Sequence, residues 1–180
     1  MGKPTEFQLR QRKMRIAELS VGASTVRGMP KGTVYAARMA LKGIRPTSFS
    51  KPSRDEYLKT LNYLTRRISN VLPEASWGVS RKVLNIFIRS CVYDSGLRRA
   101  YQLARIEPWL EVPLDQQVAA GIRACSGEDL PKFQNKRLDW RVSLQYQDTA
   151  RRIARRVGSH PIHLEACWWR VEAGRCRCTV

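Results

Sequence analysis

The stretch SRDEYLKTLNYLTRRISNVLP, residues 53–73, carries the strongest amphipathic pattern of the sequence. Its apolar side chains recur every three to four positions, the period of an α-helix with one buried face. These positions are Tyr57, Leu61, Leu64, Ile68 and Val71 or Leu72. Ser53 is a typical N-cap, acidic Asp55 and Glu56 follow in the first turn, and Pro73 ends the pattern. The stretch therefore predicts a long helix packed on a helical core.

Comparable patterns on both sides of this stretch predict further helices, whereas alternating β-branched runs typical of strands are almost absent. The segment from Gly78 to Cys91 is apolar over a wide face, which predicts a helix at the centre of the core. Other predicted helices cover residues 4–20, 32–42, 97–104, 138–157 and 161–173, with another that begins at Asp115. The sequence predicts an all-α fold. We expect one compact domain of about seven or eight helices over residues 1–173 and a disordered tail over 174–180.

The charge of the chain points to a polyanionic partner. Lysine and arginine number 33 against 15 aspartates and glutamates, which gives a formal net charge of +18. A folded chain with this imbalance repels itself, and binding to phosphates relieves the repulsion. We expect a nucleic acid, in particular DNA, as the partner. The alternatives are an anionic membrane surface and basicity without a specific partner.

The sequence also bears on where the protein works. No apolar stretch reaches the length of a membrane span, and the N-terminal MGKPTEFQLRQRKMRIAEL lacks the apolar core of a secretory signal. Five cysteines, an odd number, are then typical of free thiols in a reducing compartment. These features predict a soluble cytoplasmic protein with no membrane partner, and they leave the oligomeric state open.

The segment WGVSRKVLN, residues 77–85, is the first candidate site. A glycine turn at the start of a helix leaves backbone N–H groups that bind phosphate readily, and basic side chains in the first turn add charge. The predicted phosphate-binding residues are Trp77, Gly78, Val79, Ser80, Arg81 and Lys82. The alternative is a turn glycine followed by ordinary surface side chains.

A second candidate site is the predicted helix over residues 138–157. Four arginines share its outward face, Arg151, Arg152, Arg155 and Arg156, and no balancing acid is evident from the sequence. Such a face favours contacts with backbone phosphates, although a merely solvated face has the same composition.

Two segments together resemble the helix-hairpin-helix superfamily of DNA glycosylases and lyases. Residues 78–85, GVSRKVLN, are similar to the hairpin L-P-G-V-G-x-K-x-A-N of that family, and residues 113–118, PLDQQV, are similar to its P-V-D-x-H-V segment. The resemblance implies an all-helical glycosylase-like fold and a hairpin around Gly78 that grips a DNA phosphate. The whole chain also resembles a group of small basic bacterial proteins of unknown activity, through segments such as WGVSRKVLN and EPWLEVPLD.

The resemblance to the glycosylases also implies roles for two side chains. Lys82 matches the amine that attacks C1′ of the sugar and forms a Schiff base, and Asp115 matches the carboxylate that stabilises the developing sugar cation. An extruded base then requires an aromatic wedge, for which Trp77, Tyr101 and Trp109 are candidates. We expect no metal or other cofactor.

Other interpretations of these residues stay open. Asp115 directly before a helix is also what an ordinary N-cap looks like, and the protein is then a non-catalytic DNA- or RNA-binding protein. Trp168 and Trp169 would serve as the exposed anchor of a protein-interaction module. A zinc site is a further hypothesis, which rests on His160, His163, Cys167, Cys176 and Cys178.

Overall fold

The computed structural model of the protein describes residues 4–50 and 53–168. Within these ranges the chain forms eight α-helices and three short 3₁₀ helices, with no β-strand, so the predicted all-α fold is confirmed. The α-helices are α1 (Glu6–Leu19), α2 (Thr33–Lys42), α3 (Arg54–Val71), α4 (Trp77–Tyr93), α5 (Ser95–Ala100), α6 (Gln116–Ser126), α7 (Trp140–Arg156) and α8 (Pro161–Trp168). The expectations for residues 169–173 and for the tail 174–180 lie outside the described residues.

Helix α3 forms as its sequence predicts. The Ser53 hydroxyl accepts a hydrogen bond from the backbone N–H of Glu56 at 3.3 Å, and the helix ends at Val71, before Pro73. The buried face is Tyr57, Leu61, Leu64, Thr65 and Ile68. Val71, the alternative to Leu72 in the repeat, is exposed, and Leu72 takes the buried position. The amphipathic period therefore predicted both the helix and its orientation.

Helix α4 is the central helix, as its wide apolar face predicts. Val79, Val83, Leu84 and Phe87 have no exposed surface. The helix packs against α1, α2, α3 and α5, and its first turns contact the 3₁₀ helix Asn135–Arg137. Because α4 is enclosed on most sides, side chains near its N-terminus can be buried even where they are charged.

The buried apolar residues form two clusters that meet at α4. The first is built mainly by α1 to α5 and the connector that follows α5, and the second by residues between Val112 and Trp168. The connector differs from the sequence prediction: α5 ends at Ala100, and Leu103–Trp109 forms a 3₁₀ helix that contains Pro108. No described helix has the length and apolar character that crossing a bilayer requires.

Two of the described cysteines are free thiols and one is not. Cys91 is buried on the apolar face of α4, and Cys167 is partly buried on α8. Burial raises the pKa of the Cys91 thiol to about 12, which makes it a small apolar side chain rather than a nucleophile. Cys125 is disulfide-bonded, so the expectation of free thiols is wrong at that position.

Candidate functional site

Lys82 and Asp115 lie side by side, although they are 33 positions apart in the sequence. Lys82 stands in the second turn of α4, and Asp115 is the residue that precedes α6. The Lys82 Nζ is 3.3 Å from the Asp115 Oδ2, and the two side chains are 10% and 20% exposed. The structure thus brings together the two residues that the motif resemblance singled out and keeps both accessible from one side.

Asp115 uses its two carboxylate oxygens differently. Oδ1 accepts hydrogen bonds from the backbone N–H groups of Gln117 and Val118, both at 3.0 Å, and so caps α6. Oδ2 faces Lys82. Asp115 is therefore the N-cap of α6, and the two capping hydrogen bonds hold this carboxylate in a fixed orientation beside the amine.

A cleft of about 550 Å³ opens over this pair. Its lining residues are Ser24, Thr25, Lys82, Ile86, Arg89, Pro113, Asp115, Glu165 and Ala166. A second ion pair lies in the same cleft, between Arg89 of α4 and Glu165 of α8. We call this site the Lys82 cleft. It combines an amine, two carboxylates and a guanidinium.

Glu165 was not predicted from the sequence, and its side chain is only 15% exposed. Burial raises the pKa of its carboxyl, and the negative charge of Asp115 acts in the same direction, while Arg89 and Lys82 oppose the shift. The folded protein therefore binds this proton more tightly than the unfolded chain does. Protonated Glu165 therefore stabilises the folded protein at pH values below the ordinary pKa of a glutamate. This contribution is lost as the pH rises through the pKa that Glu165 has in the folded state.

We expect a carboxyl-selective ¹³C NMR titration to place the midpoint of Glu165 above the ordinary value of 4.5. An Arg89→Met substitution is expected to raise the pKa further, because it removes the guanidinium that favours the charged form. A midpoint at or below 4.5 in the wild type would contradict the described burial. So would a fall of the pKa in the Arg89 variant.

The predicted phosphate clamp at the start of α4 is not open to a ligand in this structure. Gly78, Val79, Ser80 and Arg81 are all buried. A Cβ atom at Gly78 would clash with the Asn135 carbonyl oxygen and lie 2.7 Å from the Leu138 Cβ. The expectation of an exposed glycine turn is therefore corrected, since the segment 135–138 covers it, and Gly78 serves close packing.

Arg81 also differs from the prediction that it contacts phosphate. Its guanidinium forms a bidentate pair with Glu111, with Nε at 2.8 Å and Nη2 at 3.1 Å from the two carboxylate oxygens. Nη1 donates to the Thr65 hydroxyl at 2.9 Å, and Asn85 donates to the same Glu111 carboxylate. Each of the three guanidinium nitrogens thus donates to a protein acceptor, so Arg81 is a structural residue of the core.

We expect Gly78→Ala to lower the free energy of unfolding by about 1–3 kcal/mol, because the added methyl group overpacks the contact with residues 135–138. Gly22→Ala is the matched control, since a Cβ there meets no atom within 4 Å. Urea denaturation of both variants measures the difference. Equal stability of the Gly78 variant and the wild type would contradict the close packing.

The arginine face of α7 is only half available to phosphates. Arg151 pairs with Asp148, one turn earlier, and Arg152 pairs with Glu128 at 2.5 Å. These acids correct the expectation of an unbalanced face. Arg155 and Arg156 are exposed and form no ion pair with any described residue. These two of the four arginines are therefore available for contact with a polyanion.

The aromatic residues that were candidates for the wedge are also partly or largely occupied by contacts with other side chains. Trp77 is half-buried with the Arg81 guanidinium 5.1 Å from its ring centroid, and Trp109 packs on Tyr57 in the core. Tyr101 is partly buried against the first cluster. Trp140, which the sequence interpretation missed, is 59% exposed at the start of α7 and lies beside the Arg141 guanidinium. The sequence does contain a signal for the exposure of Trp140, because charged residues surround it, namely Arg137, Asp139 and Arg141.

The C-terminal candidates have other partners. Trp168 is fully buried in the second cluster and contacts Gly121, so it is not an exposed anchor. His163 uses both ring nitrogens, Nδ1 with the Tyr93 hydroxyl at 3.0 Å and Nε2 with Glu107 at 3.1 Å. No three potential metal ligands are grouped within the described residues. Trp169, Cys176 and Cys178 lie outside them.

No family model, no curated protein and no solved structure matches the chain.

Proposed function

We propose that the protein is a DNA-binding glycosylase or lyase in which Lys82 is the nucleophile and Asp115 its partner carboxylate. The observation that carries the proposal is the 3.3 Å approach of these two side chains within the Lys82 cleft. The resemblance to the helix-hairpin-helix glycosylases supports it, because that resemblance selects the same two residues from the sequence alone.

The simplest reaction for this pair is imine formation with an abasic deoxyribose. Lys82 gives a proton to the Asp115 carboxylate, and the neutral amine adds to the C1′ aldehyde carbon. Asp115 returns this proton to the oxygen and then carries a second proton from the attached nitrogen to the resulting hydroxyl. The hydroxyl leaves as water with the C–O bonding electrons, and the nitrogen lone pair completes the iminium. Loss of a C2′ proton to a carboxylate of the cleft expels the 3′ phosphate with the C3′–O bonding electrons. The products are a nicked strand and an unsaturated imine, which water hydrolyses to free the enzyme.

The same groups support removal of a damaged base. Attack of the neutral amine on C1′ breaks the C1′–N bond, and the base leaves with the bonding electrons and takes up a proton. Glu165 is suited to supply that proton, because burial raises the pKa of its carboxyl. Once Asp115 has passed the Lys82 proton to solvent, its carboxylate is ionised again and stabilises the positive charge that develops on the sugar.

Exposed basic residues outside the cleft supply the affinity for DNA. Arg155 and Arg156 carry charge without a described partner, and Arg141 lies beside the exposed ring of Trp140. We expect an Arg155→Ala/Arg156→Ala variant to weaken binding to all duplexes uniformly and to reduce the salt slope by about one per arginine lost. Fluorescence anisotropy over a range of salt concentrations measures both effects. An unchanged salt slope would contradict phosphate contact by these arginines.

The direct experiment is strand cleavage of a duplex with a single abasic site. We expect nicking of this duplex and none of two controls, an intact duplex and a duplex with a tetrahydrofuran analogue, which lacks the aldehyde. Asp115→Asn keeps an N-cap side chain on α6, so its stability should change by about 1 kcal/mol or less. Its cleavage rate should fall about 100-fold or more. Equal binding to all three duplexes without cleavage would identify a general phosphate binder instead.

A further inference from the structure

A groove of about 820 Å³ lies between α2 and α3, apart from the Lys82 cleft. Its floor is aliphatic, formed by Ala36, Ala40, Ile44, Leu64 and Ile68. Its rim carries large apolar side chains that the fold leaves exposed, namely Tyr35, Met39, Tyr63 and Val71. Tyr35 and Tyr63 are 71% and 60% exposed. We call this surface the α2–α3 groove. An exposed patch of this kind marks a surface that another molecule covers.

The charge of the α2–α3 groove has one sign. Arg45, Lys59 and Arg67 line it, and no aspartate or glutamate is among its described lining residues. None of the three cations forms an ion pair within residues 4–50 and 53–168. The complementary ligand therefore brings both apolar groups for the floor and negative charges for the edge.

These two requirements favour a peptide over a nucleic acid strand. A strand has negative charge but no aliphatic groups to fill the floor, and its bases need free aromatic faces. One face of Tyr63 is already taken, because the Arg67 guanidinium lies 5.8 Å from the ring centroid. Tyrosine, methionine and arginine are in turn the residues enriched at the centres of protein interfaces.

The shape of the groove matches a helix. Helix α2 has 10 residues and forms one wall, so the groove is about 15 Å long. About three turns of a partner helix fit this length and place apolar side chains at i, i+3, i+4 and i+7 on the floor. We propose that the α2–α3 groove binds an acidic amphipathic helix of another protein, a function independent of the Lys82 cleft.

The test is selection from a displayed library of 18-residue helical peptides with randomised positions, using the full-length protein. We expect enriched peptides with an apolar stripe at helical spacing flanked by aspartate and glutamate. Binding of these peptides, measured by fluorescence anisotropy, should weaken about tenfold or more in a Tyr35→Ala/Tyr63→Ala variant. Both tyrosines are exposed, so the variant should fold, which thermal unfolding checks.

Charge reversal provides the second measurement. In an Arg45→Glu/Lys59→Glu/Arg67→Glu variant, the same library should yield basic rather than acidic amphipathic peptides, an outcome that unfolding cannot mimic.

The proposal is overturned if wild-type selection gives no acidic amphipathic consensus, or if the tyrosine variant binds the peptides unchanged. An oligothymidylate that displaces the peptide and loses affinity in the tyrosine variant would assign the groove to nucleic acid. Cleavage of abasic duplexes should persist in both variants.

Discussion

Replacing Lys82 by alanine is expected to abolish covalent trapping of an abasic duplex. Borohydride reduces an imine to a stable amine, so the wild type should give a protein–DNA adduct that survives denaturing electrophoresis. Without the amine no imine forms at the Lys82 cleft, and the yield should fall about 100-fold or more. The measurement is the adduct yield at equal DNA occupancy.

Two further variants separate loss of the nucleophile from loss of structure. Lys82→Arg keeps a positive charge beside Asp115, 3.3 Å away in the wild type, but a guanidinium does not form an imine. Lys31→Ala removes an exposed lysine outside the cleft. We expect the arginine variant to bind the duplex and form no adduct, and the Lys31 variant to behave as the wild type. Trapping by Lys82→Arg at the wild-type level would show that another amine reacts.

The second large effect is expected at the buried pair of Arg81 and Glu111. Both side chains are 7% exposed, and Arg81→Met leaves the Glu111 carboxylate buried without its counter-charge. Removing one partner of such a pair destabilises a protein by about 3–5 kcal/mol. Urea denaturation at neutral pH should show a loss of this size in the free energy of unfolding.

The double variant Arg81→Met/Glu111→Leu is the control for this pair. It removes both charges and fills part of the space with apolar atoms, so most of the lost stability should return. A double variant as unstable as Arg81→Met alone would show that Thr65 and Asn85, rather than the ion pair, account for the effect.

The features predicted correctly from the sequence are those with a local cause. The period of Tyr57, Leu61, Leu64 and Ile68 fixes both the identity and the buried face of α3, and Ser53 and Pro73 mark its ends. The approach of Lys82 to Asp115 is a long-range contact, and only the family resemblance suggested it. The N-cap role of Asp115 followed from its position before an apolar-periodic segment.

The features that were missed depend on which elements meet. The sequence around Arg81 indicates an exposed arginine in the first turns of a helix. In the structure that helix is enclosed, and Glu111 lies where it can pair with the guanidinium. Glu165 is 50 residues from Asp115 in the sequence, so nothing local indicates that both line one cleft. Likewise, Tyr35 and Tyr63 stand on separate helices, and only the packing of α2 on α3 makes them two sides of one groove.

The most direct test of the account is to locate the reduced adduct by mass spectrometry. Wild-type protein is trapped on an abasic duplex with borohydride, the DNA is digested to a nucleotide remnant, and the peptides are sequenced. The account predicts that the remnant is attached to the Nζ of Lys82. Attachment to a different lysine or to the N-terminal amine, or the absence of any adduct at saturating DNA, would contradict it.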